Sequence, residues 1–271
     1  MGEALLAVAR EAADAAEEVH RRYAGRIGID AWSVKGTADF VTHVDREAEE
    51  AIIGVIRSHY PDHAILAEEG STDDDAEAAR HATHLWVVDP LDGTTNFLHG
   101  YPMYAVSIAF VEHGRPVTGA VYGTATRDRW YASAGGGAFH NGRRIRVSTI
   151  ETLTHALIGT GFPFKVLERM DEYTMQFRQV LAHTSGVRRA GSAALDLCHL
   201  ATGWFDGFWE LSLAPWDFAA GALIAREAGA VVTSIDGDLD LTQRGAVVGG
   251  NPVIHRALLQ LLRTAPEPVH G

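Results

Sequence analysis

A chain of 271 residues with 46% hydrophobic composition is long enough for one large or two modest domains with an ample core. Its formal charge of -12 and pI of about 5.5 make nucleic acid and anionic membrane poor partners by bulk electrostatics, and neither is expected. An anionic small molecule is still admissible where bound cations reverse the field locally.

The single Cys198 rules out an internal disulfide and fits a reducing compartment. No stretch approaches the ~20 apolar residues of a membrane span. The first residues lack the basic and apolar regions of a secretion signal. A cytoplasmic location is therefore expected.

Residues 2–24 place Leu5, Val8, Ala12, Ala15, Ala16 and Val19 at helical spacing, which predicts an amphipathic helix. A short strand is expected at 27–32. Lys35, Asp39, Thr42 and Asp45 then cluster at the start of a helix over 44–60, and capping by Thr42 or Asp45 accounts for that cluster. A short buried strand at 64–67 ends in Glu68-Glu69-Gly70. The acidic run Asp73, Asp74, Asp75 and Glu77 reads as a solvated turn, and the scattered histidines show no ligand spacing.

The stretch Trp86-Val87-Val88-Asp89-Pro90-Leu91-Asp92-Gly93-Thr94-Thr95-Asn96-Phe97 concentrates the chemistry. An apolar run ends in two carboxylates three residues apart, and Pro90 is expected to take the chain out of the ladder. Gly93 permits a tight turn, and Thr94 or Thr95 would cap a following helix. Two such carboxylates repel unless a cation sits between them. The free N–H groups of a helix start suit an anion. Divalent metal plus phosphate is the chemistry this corner suggests.

Five short strands follow, near 105–111, 116–122, 129–134, 138–140 and 144–147, separated by turn sequences such as Asn141-Gly142; they predict an antiparallel meander. Gly135-Gly136-Gly137 lacks the following lysine of a P-loop. Beyond Ser148, strands are expected at 156–161, 205–209, 230–233 and 246–248. Helices are expected at 167–183, 192–201, from Trp216-Asp217 onward, and at 252–262. That alternation predicts a layered α/β second half. Domains of 1–147 and 148–271 are expected. Asp236, Asp238 and Asp240 lack the glycine and the glutamate of a calcium loop and read as a polar turn. Arg188-Arg189 reads as a solvated pair or, equally, as substrate or dimer contacts, and Trp204, Trp209 and Trp216 read as core rather than ligand-stacking rings.

Glu68, Asp89, Asp92 and Asp217 each stand at the edge of an apolar segment. An oxygen-only donor set favours Mg²⁺ over zinc. Together with Lys35, Asp39-Phe40-Val41-Thr42, Asp45, Gly191-Ser192-Ala193-Ala194 and Trp216-Asp217-Phe218-Ala219-Ala220-Gly221, they give the chain a nearly full-length resemblance to the inositol monophosphatase family of Mg²⁺-dependent, typically lithium-sensitive phosphatases.

The resemblance implies an αβαβα sandwich, with an antiparallel sheet in the N-terminal half and a mixed sheet in the C-terminal half, and a homodimer. It implies that Glu68, Asp89 and the Leu91 carbonyl hold one metal, and that Asp89, Asp92 and Asp217 hold a second. Glu68 and Thr94, supported by Asp45, would orient the attacking water. Asp92, with the N–H groups of Gly93 and Thr94, would meet the substrate, and Gly191, Ser192, Ala193 and Glu210 would touch its hydroxyls. The substrate implied is inositol 1-phosphate or a similar polyol or sugar phosphate. Fructose 1,6-bisphosphate, nucleotide and histidinol phosphates stay open, as does a non-enzymatic, transcription-associated role. A haloacid-dehalogenase-like mechanism is rejected, because its two aspartates stand two apart, not three.

Overall fold

The structure, a computed structural model, describes residues 2–27, 33–36, 39–164 and 166–264, with 33–36 and 39–41 described by backbone alone. Residues 28–32 of the expected first strand, and the side chains of Lys35 and Asp39, lie outside the described residues. Ser33–Gly36 (β1) and Asp39–Val41 (β2) pair as a two-stranded antiparallel ribbon.

The first layer is helical. α1 (Gly2–Tyr23) buries a narrow stripe of Leu5, Val8, Ala12, Ala16 and Val19. Its alanines let it lie close against α2 (His43–His59). α2 starts at Thr42 with a reciprocal capping box to Asp45.

Both helices cover one face of a seven-stranded sheet. It runs in the order β3 (Ala64–Ala67), β4 (His84–Asp92), β5 (Ala105–Glu112), β6 (Arg115–Gly123), β7 (Asp128–Ser133), β8 (Gly137–His140) and β9 (Arg143–Arg144). The meander from β4 onward is antiparallel as expected, and β3 joins the edge in parallel. β9 is shorter than its predicted span.

The other face of this sheet carries α6 (Ala193–Thr202) and α7 (Pro215–Glu227), which pack on each other. Behind α6 stands the second sheet, ordered β11 (Gly186–Arg188), β10 (Leu157–Thr160), β12 (Gly207–Leu213), β14 (Gly245–Gly250) and β13 (Val231–Thr233). β11–β10–β12 are parallel and β12–β14–β13 antiparallel, so the sheet is mixed. α5 (Met170–His183) and α8 (Pro252–Arg263) form the outermost layer.

This is the αβαβα sandwich: one apolar cluster lies under α1 and α2, one runs through the middle helical layer to both sheets, and one lies under α5 and α8. The middle layer is thin because glycine allows it. A Cβ on Gly221 would stand 2.7 Å from Leu197 Cβ, and one on Gly119 only 3.0 Å from the Ala220 carbonyl. Among the described residues no helix is long and apolar enough to cross a membrane.

Several local expectations need correction. The acidic run is not a turn but α3 (Asp73–His81), nucleated by a capping box between Thr72 and Asp75. Pro90 does not end its strand. β4 continues to Asp92 through a bulge, with Asp89 opposite Ser107 and Asp92 opposite Ala105, so the missing proline N–H falls where no ladder bond is required. Glu210 lies within β12, not at its end. Trp209 is core, but Trp204 is 49% exposed.

α1 also buries a histidine. His20 is fully buried, with Nε2 2.8 Å from the Pro90 carbonyl and Nδ1 2.9 Å from the Thr124 hydroxyl. A carbonyl can only accept, so Nε2 carries the proton and Nδ1 accepts from Thr124. Burial lowers the ring's pKa from 6.5 to about 4.

The unfolded chain therefore takes up this proton at a higher pH than the folded one. Stability falls as pH drops from 6.5 toward about 4, by at most roughly 3 kcal/mol from this group. Denaturation midpoints measured at neutral pH and at about pH 5 should fall less in His20→Gln than in the wild type. Identical pH dependences would contradict the assignment.

Candidate functional site

The bulge in β4 positions the site. Asp89 is 1% exposed, and its Oδ1 accepts from the Leu91 N–H at 3.0 Å. Gly93 follows in the left-handed region (φ 91°) and starts α4 (Thr94–His99). Thr94 and Thr95 do not supply the cap: Gly93 occupies that position without a side-chain bond. A Cβ at Gly93 would meet the Met103 carbonyl at 2.9 Å, so both conformation and space require glycine.

Three sets of hydrogen bonds tie this corner to distant parts of the chain. The Thr94 hydroxyl lies 2.9 Å from Asp45 Oδ1 and 3.1 Å from the Leu91 carbonyl, and it donates toward both. The other Asp45 oxygen accepts from the Thr42 N–H and hydroxyl at 2.8 and 2.7 Å. Asp92 Oδ2 accepts from the Ser192 hydroxyl at 2.6 Å and the Ala194 N–H at 2.8 Å, which fastens the start of α6 to the end of β4. Asp217, in the first turn of α7, accepts from the Ala214 N–H at 2.6 Å. Nearby, the Ser107 hydroxyl donates to the Trp216 carbonyl at 3.1 Å, joining α7 to β5.

These ties leave a cavity of about 350 Å³ between the two sheets. Glu68, Asp89, Leu91, Asp92, Gly93, Thr94, Gly191, Ser192, Ala193, Glu210 and Asp217 all line it. Asp45 is not among the lining residues and reaches the site through Thr94. Phe162, Phe164 and Arg189 form part of the wall, the guanidinium carbon 4.9 and 5.1 Å from the two ring centres. Arg189 is thus a wall residue, although it and Arg188 are both exposed, and of the readings open for this pair the substrate-facing one applies to it. Glu210 reaches the cavity across Gly161, where any Cβ would collide with its carboxylate.

Burial, and then the charges of Glu68, Asp92 and Asp217, hold the Asp89 carboxyl well above the usual range. Asp45 is also raised by burial, against the hydrogen bonds from Thr42 and Thr94. Among the described residues, no three His, Cys, Asp or Glu side chains stand close enough together to enclose a metal ion as they are oriented.

The donor chemistry nevertheless fits a hard divalent cation. Four carboxylates and a carbonyl share one cavity, without thiol or imidazole, and Asp89 is buried among like charges.

Sequence reasoning missed three contributors. His20 holds the Pro90 carbonyl, and its signal was a polar residue on the stripe formed by Ala12 and Ala16. Asp196 lines the cavity, and its signal was a lone carboxylate in an otherwise small and apolar helix. Gly161 carried no signal, because its role is visible only across the sheet from Glu210.

The family description "Inositol monophosphatase family" matches residues 1–267. The chain belongs to this family. It is 43% identical over 266 residues to Nus factor SuhB of Pseudomonas aeruginosa, covering 97% of each protein. It is 45% identical over 231 residues to inositol-1-monophosphatase of Mesorhizobium japonicum, covering 85% of each. The extragenic suppressor protein suhB from Bartonella henselae superposes with a TM-score of 0.87 at 39% identity, over 96% of this chain and 99% of that one. Phosphatase activity is the family-level property that follows.

The two glycines flanking α4 separate conformation from crowding. Gly93 and Gly100 both have positive φ, but nothing lies within 4 Å of a Cβ at Gly100. Gly100→Ala should cost about 1 kcal/mol, and Gly93→Ala clearly more. Equal losses in urea denaturation would contradict the crowding at Gly93.

Proposed function

We propose that the chain hydrolyses the phosphate ester of inositol 1-phosphate, or of a similar polyol or sugar phosphate, with Mg²⁺ as cofactor. The single observation that supports this reading most is the buried Asp89 facing the charges of Glu68, Asp92 and Asp217 across one cavity. Glu68, Asp89 and the Leu91 carbonyl would hold one ion, and Asp89, Asp92 and Asp217 a second. Mg²⁺ bound there would neutralise phosphoryl oxygens, acidify water and stabilise the leaving alkoxide.

The chain's own groups complete the site. Thr94, its hydroxyl turned onto Asp45 and the Leu91 carbonyl, keeps lone pairs with which to accept from a water that Glu68 also holds. Asp45 acts behind Thr94 by fixing the direction of that hydroxyl. Gly93 and Thr94 would offer N–H groups to the phosphate. Asp92 would also meet the substrate, and Gly191, Ser192, Ala193 and Glu210 would contact the alcohol. Preorganised charge is the contribution large enough to matter for phosphate monoesters, whose barrier must fall by on the order of 20 kcal/mol.

A homodimer and a cytoplasmic location belong to the same reading, as does the division of the chain at 147/148. Relatives named Nus factor SuhB favour, as a second reading, an additional role in transcription. If that role is independent of catalysis, Asp92→Asn should recover the same transcription proteins in a pull-down as the wild type.

Phosphate release should be screened with and without Mg²⁺ over inositol, fructose, nucleotide and histidinol phosphates. Inositol 1-phosphate is expected to be the fastest. Asp92→Asn or Asp217→Asn should lower its Mg²⁺-dependent turnover at least about 100-fold, the scale of losing a charged group aimed at the transition state, while the circular dichroism spectrum stays unchanged. Near-normal turnover in either variant would sink the assignment.

A further inference from the structure

Of the six acidic side chains that line the cavity, one has no place in the chemistry above. Asp196 lies in α6, one turn beyond the Gly191–Ala193 wall, and it lines the same cavity as Glu210. It is 1% exposed, and its Oδ1 has no hydrogen-bond partner. Nδ1 of His199 stands 4.0 Å away, too far for a hydrogen bond.

Natural interiors retain few such orphaned polar atoms. A carboxyl group that carries such an atom and belongs to a residue lining a ligand cavity can find its missing partner in the ligand. Burial, and then the charges of Glu210 and Asp92, hold the Asp196 carboxyl well above the ordinary carboxylate range, against a smaller opposing pull from Arg189. A neutral carboxylic acid can donate a hydrogen bond, which an ionised Glu210 cannot. The two side chains therefore form a donor and an acceptor on one wall, a pattern that suits adjacent hydroxyls.

We propose that Asp196 is a specificity-determining residue that hydrogen-bonds a hydroxyl on the alcohol portion of the substrate, so that with Glu210 it selects ring polyols over short alcohols. The inference rests on the phosphatase reading above and extends it to the alcohol side of the ester. Inositol 1-phosphate presents a ring of hydroxyls to this wall, whereas glycerol 2-phosphate presents only a short chain.

The test compares kcat/KM for these two esters in the wild type, Asp196→Asn and Asp196→Ala. The amide keeps a donor, and Asp196→Asn should hold the ratio within about twofold of the wild type, whereas Asp196→Ala should lower it about tenfold or more by losing the inositol ester selectively. Equal falls for both esters in Asp196→Ala would overturn the specificity role while leaving the phosphatase reading intact. A wild type inactive on both esters would instead overturn the phosphatase reading, and this inference with it.

A second measurement reads the carboxyl directly and does not depend on turnover. In infrared difference spectra recorded with Mg²⁺, the uncharged product myo-inositol should shift a carboxylic acid C=O band of the wild type, and that shifted band should be missing from Asp196→Asn. A band that the ligand does not move would overturn the proposal.

Discussion

The structure depends on how much negative charge it gathers in a buried place. Asp89 is almost fully enclosed, and the charges of Glu68, Asp92 and Asp217 act on it across a single cavity. Enclosing an ionised carboxylate costs several kcal/mol even after relaxation, and neighbouring acids add to that cost. A fold that merely needed a core would place an apolar residue there. The acids are instead held by directed hydrogen bonds, Asp92 from Ser192 and Ala194 and Asp217 from Ala214, so that each is presented and not left to collapse.

The layered architecture makes that presentation possible. Asp89 and Asp92 come from a bulged central strand, Glu68 from the end of the edge strand beside it, and Asp217 from the first turn of a helix in the middle layer. The helix can come so near the strands because alanine and glycine line its contact face, as at Gly119 against Ala220. His20 reaches through the other face of the sheet to hold the Pro90 carbonyl. The acidic corner is thus braced from both sides of one sheet.

Most of the architecture was legible because apolar runs, capping residues and turn sequences agree locally. The meander after residue 105, the helices of the second half and the strand-end position of Glu68 all follow from such patterns. What was not legible depends on contacts between layers. The path through Pro90 looked like a strand end, because nothing local shows that the partner strand admits a bulge there. Thr72 and Asp75 carry a capping signal, which the reading of the acidic run as a solvated turn left out. Trp204 looked like core from its ring alone, yet it follows the helix-ending Gly203 and stays exposed. His20, Gly161 and Asp196 gain their meaning from partners that the fold brings to them.

The central claim is that the four acids form a cation site. Crystals grown with Mn²⁺ in place of Mg²⁺ would test it most directly through anomalous scattering. The account predicts a strong peak within coordination distance, about 2.0–2.2 Å, of an Asp89 carboxylate oxygen, shared with Glu68, Asp92 or Asp217. A map in which Mn²⁺ binds elsewhere on the molecule, with no peak beside Asp89, would contradict it.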